Sequence, residues 1–349
     1  MTHKPRAVAL ISGGLDSMLA VRVIQDHGVE VEGINFFTGF CVEGHTHAIR
    51  ERDRKRPKRN QALWVAEQLG VRLHMVEVVE EYKEVLTNPK HGYGANLNPC
   101  LDCKGFLVRK ALEWMRAHDF DFLITGEVVG QRPKSHKRSD MPIIQRDSGA
   151  EDLLLRPLSA KLLPETYPER MGWVDRERLF DFSGRSRKPQ MALARQLGFD
   201  EWAQPAGGCC FLTDAAYSAK LTDLWRSRGA QRYDLDDIML LKVGRHLRPR
   251  PHFKVVISRE EGETRFLEGY RKRFTHLRTV SHGGPLTLVD GEANEDDLWL
   301  AARLAARFSS GRTAERVRVE VNPLDGPARE IEVPPLPADS VAHDWYIGT

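Results

Sequence analysis

An apolar run that breaks and resumes within six residues constrains this chain more than any other stretch. In AVALISGGLDSMLAVRVI, residues 7–24, the segment 8–11 is β-branched and apolar and reads as a buried parallel strand. Ser12-Gly13-Gly14-Leu15-Asp16-Ser17 interrupts it, and helical spacing continues from Ser17 to Asp26. Glycines let a backbone approach an anion closely, and a helix N-terminus just after them presents free N–H groups. Ser12 and Ser17 can donate hydroxyl hydrogen bonds, while Asp16 can help to hold Mg²⁺ or orient the loop. A Walker A loop needs a terminal Gly-Lys-Ser/Thr and a dinucleotide fold needs Gly-x-Gly-x-x-Gly; the loop has neither.

The next hundred residues keep the same rhythm. Segments 29–37 and 71–78 are strand-like, 60–70 is helical and closed by Gly70, 103–118 is an amphipathic helix, and 120–127 is a strand. This alternation predicts an α/β fold with an open, mostly parallel sheet. Ligands on such sheets sit at the carboxyl ends of the strands, where residues 12–17, 36–38 and Gly126-Glu127 fall. From about residue 151 the rhythm changes, with a strand and then helices closing the first domain. The chain of 349 residues suits two domains, expected as 1–215 and a smaller α+β domain at 216–349. In the second, IMLLKVG, FKVVISR, PLTLVDG and RVRVEVN read as strands and NEDDLWLAARLAARFSS as a helix. The proline-rich VPPLPADS is expected to lie over the surface. No apolar run approaches the roughly 18 to 20 residues that span a bilayer, and the first residues lack a signal-peptide pattern, so a cytoplasmic protein is expected.

Five cysteines, at 41, 100, 103, 209 and 210, argue against a disulfide framework in such a compartment. Cys100 and Cys103 sit just before a predicted helix, where the dipole favours thiolate. Two sulfur mechanisms fit. Cys100, Cys103 and one of Cys209 or Cys210 can ligate a [4Fe–4S] cluster with one iron free to carry sulfide. Alternatively one cysteine receives a persulfide and another resolves it as a disulfide. Structural zinc would also be satisfied by four thiolates but explains less.

The six loop residues resemble the PP-loop of the ATP pyrophosphatase superfamily, of the HUP type, which cleaves ATP between its α- and β-phosphates. The resemblance implies that Ser12, Gly13, Gly14, Asp16 and Ser17 cradle ATP·Mg²⁺. ITGEVVGQRPKSH at 124–136, followed by LLLRPL, is similar to 4-thiouridine synthases, and NPCLDCK with a later Gly-Gly-Cys is similar to 2-thiouridylases. By that resemblance Phe37, Gly126, Glu127, Gln131 and Ser135 line the ATP and base pocket, and Lys104 contacts the adenylate or RNA. Asp16, Cys100, Cys103, Cys210 and Lys104 are then the catalytic set. The implied activity is tRNA uridine thiolation, leaning to 4-thiouridine at position 8, with wobble 2-thiouridine as the alternative. The sulfur donor is expected to be a cysteine desulfurase relay or free sulfide, since no rhodanese segment is evident.

Net charge is only +3, so the distribution of charge must locate RNA. RERDRKRPKR at 50–59 has seven basic and two acidic residues, with Arg54, Lys55 and Arg56 at its centre, and Arg132 and Lys134 flank the expected pocket. Residues 242–264, with HGGPLTLV and ARFSSG, resemble the RNA-binding domain of NFACT-type proteins, though Leu247 stands where an aromatic is expected. Arg245 and Arg248 are the phosphate contacts this implies. Two rivals are another PP-loop ligase and a non-catalytic RNA-binding protein on a nucleotide fold; the intact Asp16 favours an active loop.

Overall fold

The computed structural model of the chain describes residues 4–42, 59–202 and 209–348. The chain divides into two compact units, one of Met1–Cys41 with Arg59–Cys210 and one of Val42–Lys58 with Phe211–Thr349.

The first unit runs β1 (Arg6–Leu10), α1 (Leu15–Gln25), β2 (Glu30–Phe37), α2 (Gln61–Leu69), β3 (Leu73–Glu77), α3 (Val79–Thr87), α4 (Cys100–Ala117), β4 (Phe122–Thr125), α5 (Met141–Ser148), β5 (Leu154–Leu155), α6 (Tyr167–Arg170) and α7 (Lys188–Gln196). Its sheet has the order β3-β2-β1-β4-β5, and every pairing is parallel. The alternation of apolar strands and helices thus gives the expected α/β layering. Because β2 and β4 flank β1 on opposite sides, the strand order reverses at β1, and the loop after β1 opens on that switch point. Ala7, Ala9 and Ile11 pack with Met18 and Leu19 of α1 and with Phe122 and Ile124 of β4. The α4 helix starts three residues earlier than the amphipathic pattern predicts. Pro99 stands at its N-cap and accepts the Cys103 N–H at 2.8 Å, which puts both cysteines on the first turn.

The second unit contains α8 (Ala215–Arg228), α9 (Leu235–Leu240), β6 (Arg245–Arg250), β7 (Phe253–Ile257), α10 (Glu261–Glu268), β8 (Thr275–Thr279), β9 (Leu286–Gly291), α11 (Glu295–Arg307), β10 (Val317–Asn322) and β11 (Arg329–Val333). Its strands form one sheet, β11-β10-β8-β9-β7-β6, with antiparallel pairing throughout. The apolar stripe of α11, including Leu298, Ala302 and Leu304, packs on Val255, Val317 and Val319. Two expectations are corrected here. IMLLKVG is not a strand: Asp234 and Asp237 form a reciprocal capping box that starts α9 and carries it through Leu240. VPPLPADS does not merely cover the surface: Leu336 is buried in the core, and its N–H donates to the Arg303 carbonyl at 3.1 Å. Among the described residues no helix is long and apolar enough to cross a membrane.

Gly126, just beyond β4, meets the loop after β1 without room for a side chain. A Cβ there would stand 2.3 Å from the Asp16 carbonyl carbon. Gly126→Ala is therefore expected to cost about 3 kcal/mol through forced backbone displacement. Gly105→Ala, in a helix where the nearest atom to a new Cβ is 3.9 Å away, should leave the thermal midpoint unchanged or raised. Equal midpoints for Gly126→Ala and the parent in a thermal melt would contradict this packing.

Candidate ATP and sulfur site

The loop between β1 and α1 is held by backbone contacts that only glycine permits. Gly13 adopts φ +80°, and a Cβ there would lie 2.8 Å from the Ala62 nitrogen of α2. The Ser17 hydroxyl donates to the Gly14 carbonyl at 2.8 Å and stands 3.5 Å from the Ser12 hydroxyl. Asp16 Oδ2 accepts from Gln131 Nε2 at 3.0 Å and from Arg187 Nη2 at 3.4 Å. Its Oδ1 is buried and meets no hydrogen-bond partner among the described residues. Burial raises the Asp16 pKa, opposed by Gln131 and Arg187. An orphaned buried carboxylate oxygen at a phosphate loop fits Mg²⁺, which commonly binds one carboxylate together with substrate phosphates.

The same contact that brings Gly126 to Asp16 carries Glu127 into the interior, where it is 3% exposed. Glu127 Oε2 accepts from Arg156 Nε at 2.9 Å, and Lys104 Nζ lies 3.5 Å from Oε1. Burial alone would raise the Glu127 pKa, but Lys104 and then Arg156 outweigh it and hold the carboxyl at about 2. Burial pushes Lys104 down, yet the Glu127 carboxylate leaves it above its ordinary value. His136, buried beside them, is lowered to about 4 by desolvation, so its ring is neutral near pH 7. The Arg132 charge acts on Asp16, Lys104 and His136 alike.

Lys104 follows Cys103 directly, and the thiols gather there. Cys103 feels both Cys100 and Cys209, and the Tyr82 hydroxyl hydrogen-bonds to it. Tyr82, almost fully buried, also feels Cys210 and Cys41. Cys41 and Cys210 face each other in an isolated antiparallel bridge, and the Cys100 thiol donates to Ser135 Oγ at 3.4 Å. Desolvation pushes the Cys103 thiol up to about 12, so the helix N-terminus does not leave it a thiolate as the sequence argument expected. The thiols fit an iron–sulfur group in kind, but among the described residues no three metal-binding side chains converge as they stand.

Other expected residues are distributed more widely. Phe37 ends β2 and is half-buried, and Lys134 is exposed. Arg54, Lys55 and Arg56 lie outside the described residues. In the second unit Arg248 is tied to Asp223 by two hydrogen bonds of 2.6 and 2.8 Å, whereas Arg245 lies over the Phe308 ring at 5.0 Å. Sequence reasoning missed Tyr82, His136, Arg187 and Gln190, the last buried next to Asp16. The signal for Arg187 and Gln190 was the basic run GRSRKPQ ahead of α7; a lone tyrosine and histidine offered none.

Residues 5–165 match the tRNA methyl transferase HUP domain family, and residues 244–346 match the NFACT protein RNA binding domain. The two units of the chain are thus similar to different domain families, the first to a HUP domain and the second to an NFACT-type RNA-binding domain. The tRNA-specific 2-thiouridylase MnmA of Methylobacillus flagellatus is 26% identical over 315 residues, covering 85% of this chain and 81% of that protein. The tRNA-specific 2-thiouridylase MnmA 1 of Syntrophus aciditrophicus is 24% identical over 61% of this chain, which spans 54% of that relative. The chain thus spans about half the length of several curated relatives it matches. A 4-thiouridine synthetase–RNA complex with bound ATP is 20% identical over 55% of this chain and 51% of that one, at a TM-score of 0.34.

The buried charges of the HUP domain set its acid response. His136 binds protons more weakly folded, at about 4, than its ordinary 6.5, so stability falls as pH drops across that interval. The Glu127 contribution is complete above its ordinary 4.5 and fades toward about 2. Thermal midpoints should therefore begin to fall below pH 6.5, and His136→Asn should flatten that first decline. Glu127→Gln, which strands Lys104 and Arg156, should cost about 3–5 kcal/mol near pH 7 by denaturant unfolding. A decline of the parent's slope in His136→Asn, or a Glu127→Gln as stable as the parent, contradicts the assignment.

Proposed function

We propose that the chain is an ATP-dependent tRNA uridine sulfurtransferase, with 1–215 as its catalytic module and 216–349 as its RNA-binding module. The observation that carries this reading is the unbroken series from Asp16 through Gly126, Glu127 and Lys104 to Cys103. It links an ATP loop to a group of thiols.

ATP phosphates lie against the Gly13-Gly14 backbone and the N-terminus of α1, with Ser12 and Ser17 as donors, and Asp16 would hold Mg²⁺ to offset their charge. The uridine carbonyl oxygen attacks the α-phosphorus and expels pyrophosphate, leaving an O-adenylated base. Arg187, bonded to Asp16, and Arg132, whose charge reaches both Asp16 and Lys104, offset the charge that develops on the phosphates. Hydrosulfide, supplied as free sulfide or released from a persulfide carried by one cysteine as a second cysteine displaces it and closes a disulfide, then adds at the same carbon. AMP departs with the former carbonyl oxygen and the sulfur loses its proton, so the base gains one sulfur for one oxygen. The neutral His136 and the Lys104 ammonium flank this step. A [4Fe–4S] cluster, if held by Cys100, Cys103 and one of Cys209 or Cys210, would supply an iron open to sulfide. The reaction base must leave its stack to enter the pocket.

Two carbonyls of uridine are open to this chemistry. The likeness of the Gly-Glu-x-x-Gly-Gln segment at 126–131 to 4-thiouridine synthases favours the 4-position, and the 2-thiouridylase relatives favour the 2-position. Deleting the gene and digesting host tRNA should reveal one missing thiouridine by mass spectrometry, and its identity assigns the carbon. With purified protein, Asp16→Asn should abolish RNA-dependent pyrophosphate release. Cys100→Ser and Cys103→Ser should keep pyrophosphate release but lower thiouridine formation at least about 100-fold, the usual scale for losing a group that acts in the reaction step. Unchanged tRNA nucleosides, or pyrophosphate release independent of RNA, would remove this reading. Anaerobic purification tests the cluster: a brown protein with broad visible absorption supports it, and a colourless active one excludes it.

A further inference from the structure

The second unit contains a cavity of about 620 Å³, within the roughly 300–1,000 Å³ of ligand-sized pockets. Arg245, Arg307, Arg312 and Phe308 line it, with the Arg245 guanidinium 5.0 Å from the Phe308 ring centre. Among the described residues these three arginines make no ion pair, in a unit where Arg248, Arg250, Arg273 and Arg278 are all paired with carboxylates. The lining also includes the Thr264 hydroxyl, which can meet a base edge or ribose and stands 2.7 Å from the buried Ser258 hydroxyl, itself accepting from the Leu286 N–H. Two acidic residues, Glu260 and Glu261, reach the cavity as well.

The turns beside it are built for close approach. Gly284 lines the cavity, and a Cβ there would stand 2.3 Å from Thr279 Oγ1 and 2.7 Å from Ser309 Cβ. Gly311 precedes Arg312, and its Cβ would lie 2.7 Å from the His282 ring. The segments HGGPLTLV and ARFSSG therefore lock against each other and hold Phe308 and Arg312 on one rigid turn.

We propose that this cavity receives one unpaired nucleotide of a single-stranded RNA segment, its base stacked beside Phe308 and the Arg245 plane and its phosphates on Arg307 and Arg312. The proposal deepens the RNA-binding half of the function above and rests on that half alone. A paired duplex presents phosphates but keeps its bases inside, so it cannot fill a concave site that carries an aromatic ring and a hydroxyl. A splayed single strand offers both base and phosphate, and stacking on aromatic rings or guanidinium planes is its usual mode of recognition. The acidic pair disfavours phosphates at its side of the lining, which leaves the arginines as the place for them.

Fluorescence anisotropy with the full chain, using a labelled unstructured RNA oligonucleotide and a blunt duplex of the same length, reads the proposal without ATP or sulfur. The single strand should bind at least about tenfold tighter than the duplex. Arg312→Ala and Arg307→Gln should each weaken it about fivefold to tenfold and lower the salt slope by about one. Arg312 is exposed, so its replacement should leave the thermal melt unchanged, and Phe308→Leu gives a second variant that tests stacking. Equal binding of strand and duplex, variants that bind like the parent, or competition by AMP or UMP as strong as by the oligonucleotide would each overturn it. Thiouridine formation is scored separately: its absence with selective strand binding intact removes the sulfurtransferase and leaves the cavity, and thiolation alongside unselective binding does the reverse.

Discussion

The first unit depends on one approach of backbone to backbone, that of Gly126 to the carbonyl end of Asp16. No side chain fits there, so β4 must end where the phosphate loop turns into α1. The residue after Gly126 is then forced inward, and it is a glutamate. A carboxylate taken that far from water is stable only with charges around it, and Lys104 and Arg156 supply them. Two parts of the site far apart in sequence are thereby brought together. The loop positions Gly126, Gly126 positions Glu127, and Glu127 fixes the lysine that follows Cys103.

The parallel sheet and the two-glycine loop after β1 were legible because both rest on local chemistry: β-branched strands, a tight glycine turn, and helices with good caps such as Asn60 and Gly70. The thiols were legible as a set, though not in their state. A helix N-terminus lowers a thiol's pKa only when solvent or a cation can share the charge, and desolvation around Cys103 overrides it. Partners that act through space left no mark. Tyr82 comes from a helix with a weak sequence signal, and Arg187 and Gln190 come from 170 residues beyond the loop they serve. The failure at IMLLKVG has the same root from the other side. Its apolar run suits a strand, but the two aspartates before it close a capping box and the helix wins.

Basic residues in the second unit show why charge runs are poor guides to contact. Arg245 and Arg248 lie three apart on one strand and looked equivalent in sequence. Asp223 takes both arms of Arg248 at hydrogen-bond distance, so its charge is spent inside the fold. Arg245 lies over the Phe308 ring and makes no ion pair among the described residues, so its charge is available at the cavity it lines. Discrimination between the two required knowing where α8 would place an aspartate, and that is a matter of tertiary packing.

Burial of the thiols has a further consequence for a site that handles sulfur. A thiol with a pKa near 12 is almost entirely protonated near neutrality and is slow to oxidise, because oxidation follows thiolate character and exposure. Several thiols crowded about Tyr82 would otherwise be prone to disulfides with one another. Keeping Cys103 protonated lets the group stay reduced without separating its members. Lys104 is paired with Glu127, and its charge acts on Cys103, so the carboxylate that holds the lysine also bears on the field at that thiol.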